Sequence, residues 1–155
     1  MDVRIMEVVE QNVLFVRKTG RYDLAAQAAW QALMSFAYPR KLVKKDTRMI
    51  GIGYDNPQIT DEDKLRYDAC ITINSNVIPE GEVGIQTIQG GLYAVCLHKG
   101  SYSGLAATYN TIFFRWLSVS GRSLRNAPCW EVYLNRDPRR TKPENLRTEI
   151  YIPIE

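Results

Sequence analysis

The chain has 155 residues, with 45% hydrophobic residues and 20 Lys and Arg against 17 Asp and Glu. This length predicts a single domain over residues 1–155, and a net charge of +3 spread among acids gives no indication of direct nucleic-acid binding. No apolar run reaches the ~18 residues of a membrane span, no secretory signal opens the chain, and Cys70, Cys96 and Cys129 are spaced as reduced thiols, so we expect a cytoplasmic protein without a membrane partner.

In the first half, β-branched and aromatic residues predict strands over 3–9 and 12–18, with a turn at 10–12. Asp23 is the expected N-cap of a helix that runs to about Ala37, because the following Tyr38-Pro39 pair disfavours helix. Strands are predicted over 48–54 and 67–74, separated by a polar loop. The stretch 76–81 contains Pro and Gly and is the expected linker between the halves.

The second half predicts the same order of elements. Strands over 83–88 and 92–98 precede a helix capped by Ser103 and ended by Gly121, and strands over 129–135 and 146–154 follow. The apolar face expected on this helix consists of Leu105, Tyr109, Ile112, Phe113, Trp116 and Leu117.

The two halves also resemble each other in sequence. Residues 17–22 recur as 97–102 at an offset of 80, and the later match of Leu65-Arg66 to Leu146-Arg147 has an offset of 81. We expect internal repeats of about 1–76 and 82–155, a period too long for a solenoid. Each repeat reads strand-strand-helix-strand-strand, which indicates an α+β fold with a largely antiparallel sheet and a cleft at the seam between halves.

Most catalytic signatures are absent. The segment 100–104 has Tyr102 where a nucleophile elbow needs serine, and no phosphate-binding loop is present. His98 is the single histidine, and it has no Cys, Asp or Glu at ligand spacing. The sequence therefore gives no reason to expect a metal site or a cofactor.

The strand at 129–135 carries the most informative polar pattern. By alternation Glu131 and Tyr133 share one face, while Trp130, Val132 and Leu134 form an apolar face that we expect to lie under the helices. On the last strand Glu149 and Tyr151 alternate in the same way. If the two strands pair, two carboxylates and two tyrosines are expected on one surface.

Two interpretations of Glu131 remain open at this point. It is either half-exposed and paired with a cation such as Arg147, or it is the counter-charge in a pocket where tyrosine rings stack on a cationic ligand. The matching residues in the first half are read as Ile50 and Ile52, so the repeats differ where a single asymmetric site requires it, which favours the pocket.

Two clusters of cations interrupt the otherwise mixed charge pattern. One consists of Lys41, Lys44, Lys45 and Arg48, and the other of Arg136, Arg139, Arg140 and Lys142. They are expected to be solvated loops, with a surface for an acidic partner as the alternative.

Four segments together resemble the GyrI-like family over essentially the whole chain. They are 54–57 (YDNP), 64–68 (KLRYD), 90–95 (GGLYAV) and 128–135 (PCWEVYLN), in the family's order. The resemblance implies a curved, largely antiparallel eight-stranded sheet with two helices and a central groove. It also implies a fold shared with the effector-binding domains of drug-sensing transcription activators, here as a free-standing module without its own DNA reader.

The resemblance further implies the site and its ligand. The groove would accept amphipathic, often cationic, small molecules, with Glu131 at its base. Tyr133, Tyr151, Tyr109 and Phe113 would be aromatic walls, and Trp130 would adjoin the ligand.

Three functions follow as hypotheses. The first is small-molecule binding for sensing or sequestration. The second is binding to DNA gyrase with modulation of supercoiling. The third is hydrolysis of strained electrophiles, with Glu131 as general base and Tyr133 or Tyr151 as hydrogen-bond donor.

Overall fold

The computed structural model describes residues 1–135 and 137–155, so Arg136 of the second basic cluster lies outside the described residues. The described chain forms one sheet and two long helical regions. The strands are β1 (Val3–Val8), β2 (Gln11–Thr19), β3 (Met49–Gly53), β4 (Arg66–Thr72), β5 (Gly84–Ile88), β6 (Gly91–Lys99), β7 (Trp130–Tyr133) and β8 (Arg147–Pro153).

Helix α1 spans Tyr22–Ala37, and the second helical region is built from three consecutive segments. After a 3-10 turn at Tyr102–Gly104, α2 covers Leu105–Thr111, a π-helical stretch covers Ile112–Trp116, and α3 covers Leu117–Ser120. We call α2, the π-helical stretch and α3 together the second helix. None of the helices among residues 1–135 and 137–155 is long and apolar enough to span a membrane.

The strands form one antiparallel sheet in the order β1-β6-β8-β7-β3-β4-β2-β5. The two edge strands are β1 and β5, yet β1 connects to β2 and β5 connects to β6 through short turns. These turns join opposite sides of the sheet, so the sheet must curl until its two edges approach each other. The result is a half-barrel with two helices, and the predicted α+β fold class is confirmed.

The helices pack on the outer face of the half-barrel. Ala29 and Leu33 of α1 are fully buried against Val16, Ala69 and neighbouring apolar residues. The second helix packs against Cys96, Ile150 and their neighbours through Ile112 and most of the predicted apolar face, namely Leu105, Tyr109, Phe113 and Trp116. Burial of these apolar stripes anchors both helices to the sheet.

Among the described residues, no helix packs on the inner face, which is filled by its own side chains. Trp130 and Val132 are buried there with residues from both halves, including Val13, Ile50 and Tyr93. The prediction that the Trp130 face lies under the helices is therefore wrong. Because curvature alone closes the inner face, alternation along one strand could not tell which apolar face the helices cover.

Element boundaries agree with the predicted strands to within two residues, whereas the predicted helix N-caps differ. Arg21 is the N-cap of α1, and Asp23 lies in the first turn, where it accepts hydrogen bonds from Arg21. Ser103 lies within the 3-10 turn, capped by the side chain of Ser101. Gly121 ends the second helix in the left-handed conformation, with φ of 74°, as predicted.

The strand ladders give the true register between the halves. Arg66 and Arg147 are equivalent, because they pair with Thr19 and Lys99 at the matching ends of β2 and β6. Three residues further along β4 and β8, Ala69 pairs with Gly51 of β3 and Ile150 pairs with Glu131 of β7.

Gly51, and not Ile50, is therefore the counterpart of Glu131, and by the same step Gly53 is the counterpart of Tyr133. The offset in β3 and β7 is 80, and the extra residue of the second half lies in the loop after β7. Gly51 and Glu131 also pair directly with each other across β3 and β7, so the pseudo-twofold axis of the domain passes between them.

Candidate ligand-binding cleft

Glu131 lies at the centre of the outer face, between the two helices. Its carboxylate accepts hydrogen bonds from Tyr109 of α2 at 3.0 Å and from Tyr133 of β7 at 2.9 Å. Glu131 remains partly exposed. Arg147 donates instead to the backbone oxygens of Glu144 and Leu146, so the predicted Glu131–Arg147 pair does not form.

A chain of hydrogen bonds connects Glu131 to α1. The Tyr133 hydroxyl donates its hydrogen bond to the carboxylate. The hydroxyl of Tyr67, 2.8 Å away, must therefore donate to the Tyr133 oxygen. The indole N–H of Trp30 in turn donates to Tyr67 at 2.9 Å. All donors point toward the carboxylate, and such aligned chains strengthen each bond.

Aromatic rings from both helices surround this chain. Trp30 and Tyr102 contact the ring of Tyr133 edge-on, with ring centroids 5.9 and 5.7 Å away. Tyr109 and Phe113 are stacked 6.3 Å apart beside Glu131. The structure therefore places a carboxylate beneath a cluster of aromatic rings between α1 and the second helix, and we call this candidate site the aromatic cleft.

Gly51 makes room for the tyrosine hydroxyls on this floor. A Cβ atom at this position would lie 2.4 Å from the Tyr67 hydroxyl and even nearer to that of Tyr133. Any side chain here would displace the hydroxyls that meet in front of Glu131. Gly51 of the first half thus provides the space for the tyrosine hydroxyls that hydrogen-bond around Glu131 of the second half.

The surroundings of Glu131 favour its neutral form. Burial raises the pKa of the Glu131 carboxyl, and the hydrogen bonds from Tyr133 and Tyr109 oppose this shift only in part. Burial, together with the nearby carboxylate charge, also raises the pKa of Tyr109 and Tyr133 well above the ordinary value. The pKa of Cys129, on the same face, is raised to about 12 by burial, so this thiol is a poor nucleophile.

The structure brings together only some of the predicted site residues. Glu131, Tyr133, Tyr109 and Phe113 meet in the cleft, but Tyr151 and Trp130 lie on the inner face, stacked with centroids 3.9 Å apart. The reason is register: Tyr151 pairs with Trp130, and directly opposed residues share a face.

Glu149 also lies on the inner face, where it pairs with Arg4. The expected surface with two carboxylates and two tyrosines does not exist. For the hydrolysis hypothesis, Tyr151 cannot act beside Glu131, whereas Tyr133 is in contact with it.

Four residues of the cleft were not predicted from the sequence: Trp30, Tyr67, Tyr102 and Gly51. Only Tyr102 had a signal, because the repeat aligns it with Tyr22 at the head of the other helix. Tyr22 packs edge-on to Tyr67 at 6.3 Å, as Tyr102 packs on Tyr133. A tyrosine repeated at both helix starts therefore marks both sides of the cleft.

Comparison with known proteins supports the fold. The DNA gyrase inhibitor of Salmonella typhimurium is 24% identical over 158 residues, covering 100% of this chain and 99% of that protein. A chain of the EcmrR–DNA complex superposes with a TM-score of 0.83 at 19% identity, over 99% of this chain and 57% of that chain. SAV2435 bound to tetraphenylphosphonium superposes with a TM-score of 0.65 at 16% identity, over 100% of this chain and 94% of that chain.

The family comparison covers the full length. The model of the GyrI-like small molecule binding domain matches residues 1–155. The aromatic cleft lies inside the matched region, at the seam between its two halves. The chain therefore belongs to the GyrI-like family of small-molecule binding domains.

Proposed function

We propose that the cleft binds amphipathic aromatic cations, with Glu131 as the counter-charge. The observation that carries the proposal is a partly buried carboxylate whose hydrogen-bond partners are two neutral phenols, Tyr109 and Tyr133. A buried negative charge is stabilised by an opposite charge. A ligand cation that enters between the rings supplies that charge.

The aromatic walls favour the same class of ligand. A cation over the face of an aromatic ring gains about 0.5–1 kcal/mol at an exposed site and about 2 kcal/mol when it is desolvated. Trp30, Tyr102 and Phe113 offer such rings around the carboxylate. Tetraphenylphosphonium, which is bound to the structurally similar SAV2435, combines four aromatic rings with one positive charge.

Titration calorimetry with tetraphenylphosphonium and with neutral triphenylphosphine oxide tests the proposal. Glu131→Gln keeps the size of the side chain and removes its charge, so we expect the cation affinity to fall by more than about tenfold while the neutral compound is unaffected. Glu7→Gln, at an exposed strand position on β1, is the matched control and should bind both compounds like the wild type. Equal losses for the cation and the neutral compound in Glu131→Gln would contradict the role of charge.

A second function, inhibition of DNA gyrase, is favoured by the relatives that carry this name and align along nearly the whole chain. The test is a supercoiling assay with purified gyrase. We expect reduced supercoiling at a stoichiometric excess of the protein. Unchanged supercoiling at that excess would argue against this function and would leave the cation-binding proposal intact.

A further inference from the structure

The fold brings the described residues of the two basic clusters to one end of the half-barrel. The loop from α1 to β3 (38–48) and the described part of the loop from β7 to β8 (134–135 and 137–146) carry eight of the chain's 20 Lys and Arg and three of its 17 Asp and Glu. We call these two loops the basic end. Its net charge of +5 exceeds the +2 of all described residues, so the other described residues have a net charge of −3.

Strand pairing explains why two segments so far apart in sequence become neighbours. β3 begins where β7 ends, because the antiparallel pair runs Ile50 with Val132 and Gly51 with Glu131. A cavity of about 250 Å³ lies between the two loops. Its lining includes Lys45, Arg48, Met49, Val132, Leu134 and Glu149.

The cavity combines apolar walls with a fixed cation. Met49, Val132 and Leu134 supply the walls, and Leu134 is 49% exposed at the surface. Arg48 is held by hydrogen bonds to Gln11 at 3.0 Å and to the Tyr151 hydroxyl at 3.1 Å. An apolar cavity of about 150 Å³ already accommodates benzene, so this one can accept an apolar side chain.

In the loop from β7 to β8, two arginines share a single aspartate. Arg139 and Arg140 both approach Asp137, at 3.3 and 3.5 Å, so one carboxylate faces two guanidinium groups. Their side chains are 89% and 88% exposed. These cations are therefore accessible to a negatively charged partner at the basic end.

We propose that the basic end docks an acidic segment of a partner protein, with an apolar side chain of that segment in the cavity. Asp46 and Glu149 also line the cavity, and they would repel the uniform negative charge of a nucleic-acid backbone. A peptide can place its carboxylates on the surrounding cations and its apolar side chain between them. Tyr133 also lines the cavity, so the basic end adjoins the aromatic cleft, but docking of a partner there goes beyond both proposed functions.

The test is fluorescence anisotropy of the protein with a labelled peptide of alternating Glu and Gly around one central Leu. We expect saturable binding that weakens with salt, because exposed charges are screened. The double variant Arg139→Glu/Arg140→Glu should bind about tenfold more weakly, since it replaces attraction by repulsion at two positions. A peptide with Gly in place of the Leu should also bind more weakly, since the cavity then stays unfilled.

The control variant Lys64→Glu/Arg122→Glu makes the same change in net charge at exposed residues outside the basic end, and it should bind like the wild type. A duplex oligonucleotide of equal charge is the competing probe. Three results would overturn the proposal: no saturable peptide binding, equal weakening by both double variants, or tighter binding of the duplex than of the Leu peptide. Tetraphenylphosphonium binding in the same samples reports separately on the cleft.

Discussion

The Glu131 carboxyl accepts hydrogen bonds from two phenols and, among the described residues, forms no ion pair with a cation. Its pKa is raised because burial penalises the carboxylate more than the hydrogen bonds from Tyr109 and Tyr133 stabilise it. A carboxyl whose pKa is higher in the folded state stabilises the fold below its unfolded-state pKa. That contribution is lost as the pH rises through the folded-state pKa. Ionised Glu131 thus costs folding stability, which a bound cation can offset.

The affinity for tetraphenylphosphonium should therefore depend on pH through Glu131. The ligand has a permanent charge, so we expect its affinity to increase as the pH rises from the ordinary glutamate range through the raised pKa of Glu131. Calorimetric titrations from pH 4.5 to pH 8 measure this. In Glu131→Gln the dependence should be much flatter, and a wild-type profile that matches the variant's would contradict the assignment.

Gly51 is expected to control the geometry of the tyrosine network. Gly51→Ala would place a methyl group in contact with the hydroxyls of Tyr67 and Tyr133, which must then separate. We expect a loss of about 1–3 kcal/mol in the free energy of unfolding, as for other overpacked sites, and weaker cation binding. The indole N–H of Trp30, which donates to Tyr67, should shift in its NMR signal and exchange faster.

Gly53→Ala is the matched control for Gly51→Ala. It lies on the same strand and face, and its Cβ would come within 3.3 Å of the Tyr22 ring, a smaller conflict. The indole signals of Trp116 and Trp130 serve as internal references. An unchanged Trp30 signal together with wild-type affinity in Gly51→Ala would show that the network does not depend on this glycine.

The chemistry of single residues was only partly predictable from sequence. Alternation places Glu131 and Tyr133 on one face, because the side-chain period of a strand is two. It does not give the register between strands, and register decides that Tyr151 opposes Trp130 on the other face. The repeat was misread by one residue for the same reason, so that Ile50 was matched to Glu131 in place of Gly51.

At the scale of elements, β4 is fixed to its neighbours by a buried carboxylate. Asp68 is fully buried on the inner face and accepts hydrogen bonds from Arg17 of β2 at 2.7 and 3.0 Å, from Tyr54 at 2.6 Å and from Gln86 of β5 at 2.8 Å. Three segments outside β4 therefore converge on one side chain. Burial and the bond to Asp68 raise the pKa of Tyr54, which stays a donor.

Asp68→Ala should destabilise the protein by about 3 kcal/mol, because it leaves the donors of Arg17, Tyr54 and Gln86 unpaired. The estimate is at the low end of the range for buried pairs, since the Arg17 side chain is 43% exposed. Urea unfolding measures the effect. Asp23→Ala removes an exposed Asp–Arg pair and is the control, for which a much smaller change is expected. Similar effects of the two substitutions would show that burial of Asp68 contributes little.

The elements themselves were predictable because their signals are local. Alternating apolar residues and Gly or Pro breakers give all eight strands, and the left-handed Gly121 gives the end of the second helix. The π-helical stretch at Ile112–Trp116 has no such signal, because its extra residue per turn depends on tertiary packing. Caps were less predictable than helices, since Arg21 begins α1 without a side-chain cap.

At the scale of the whole molecule, near closure of the sheet separates two environments. The inner face is packed by side chains of both halves, whereas the outer face is covered by two helices with the aromatic cleft between them. The sequence repeat predicts a seam, but it does not predict which face the seam opens on. That depends on the direction in which the sheet curls, whereas the short β1–β2 and β5–β6 turns require only that its edges approach each other.

The position of the pseudo-twofold axis predicts the stoichiometry of binding. A domain of two similar halves could offer two equivalent sites, one in each half. Here the axis passes between Gly51 and Glu131, so the two half-sites merge into one cleft, and only one half contributes a carboxylate. Calorimetry should therefore give one tetraphenylphosphonium per chain, and Glu131→Gln should weaken that single site without revealing another. Two cations per chain would contradict this, because a second site would need a second counter-charge away from the axis.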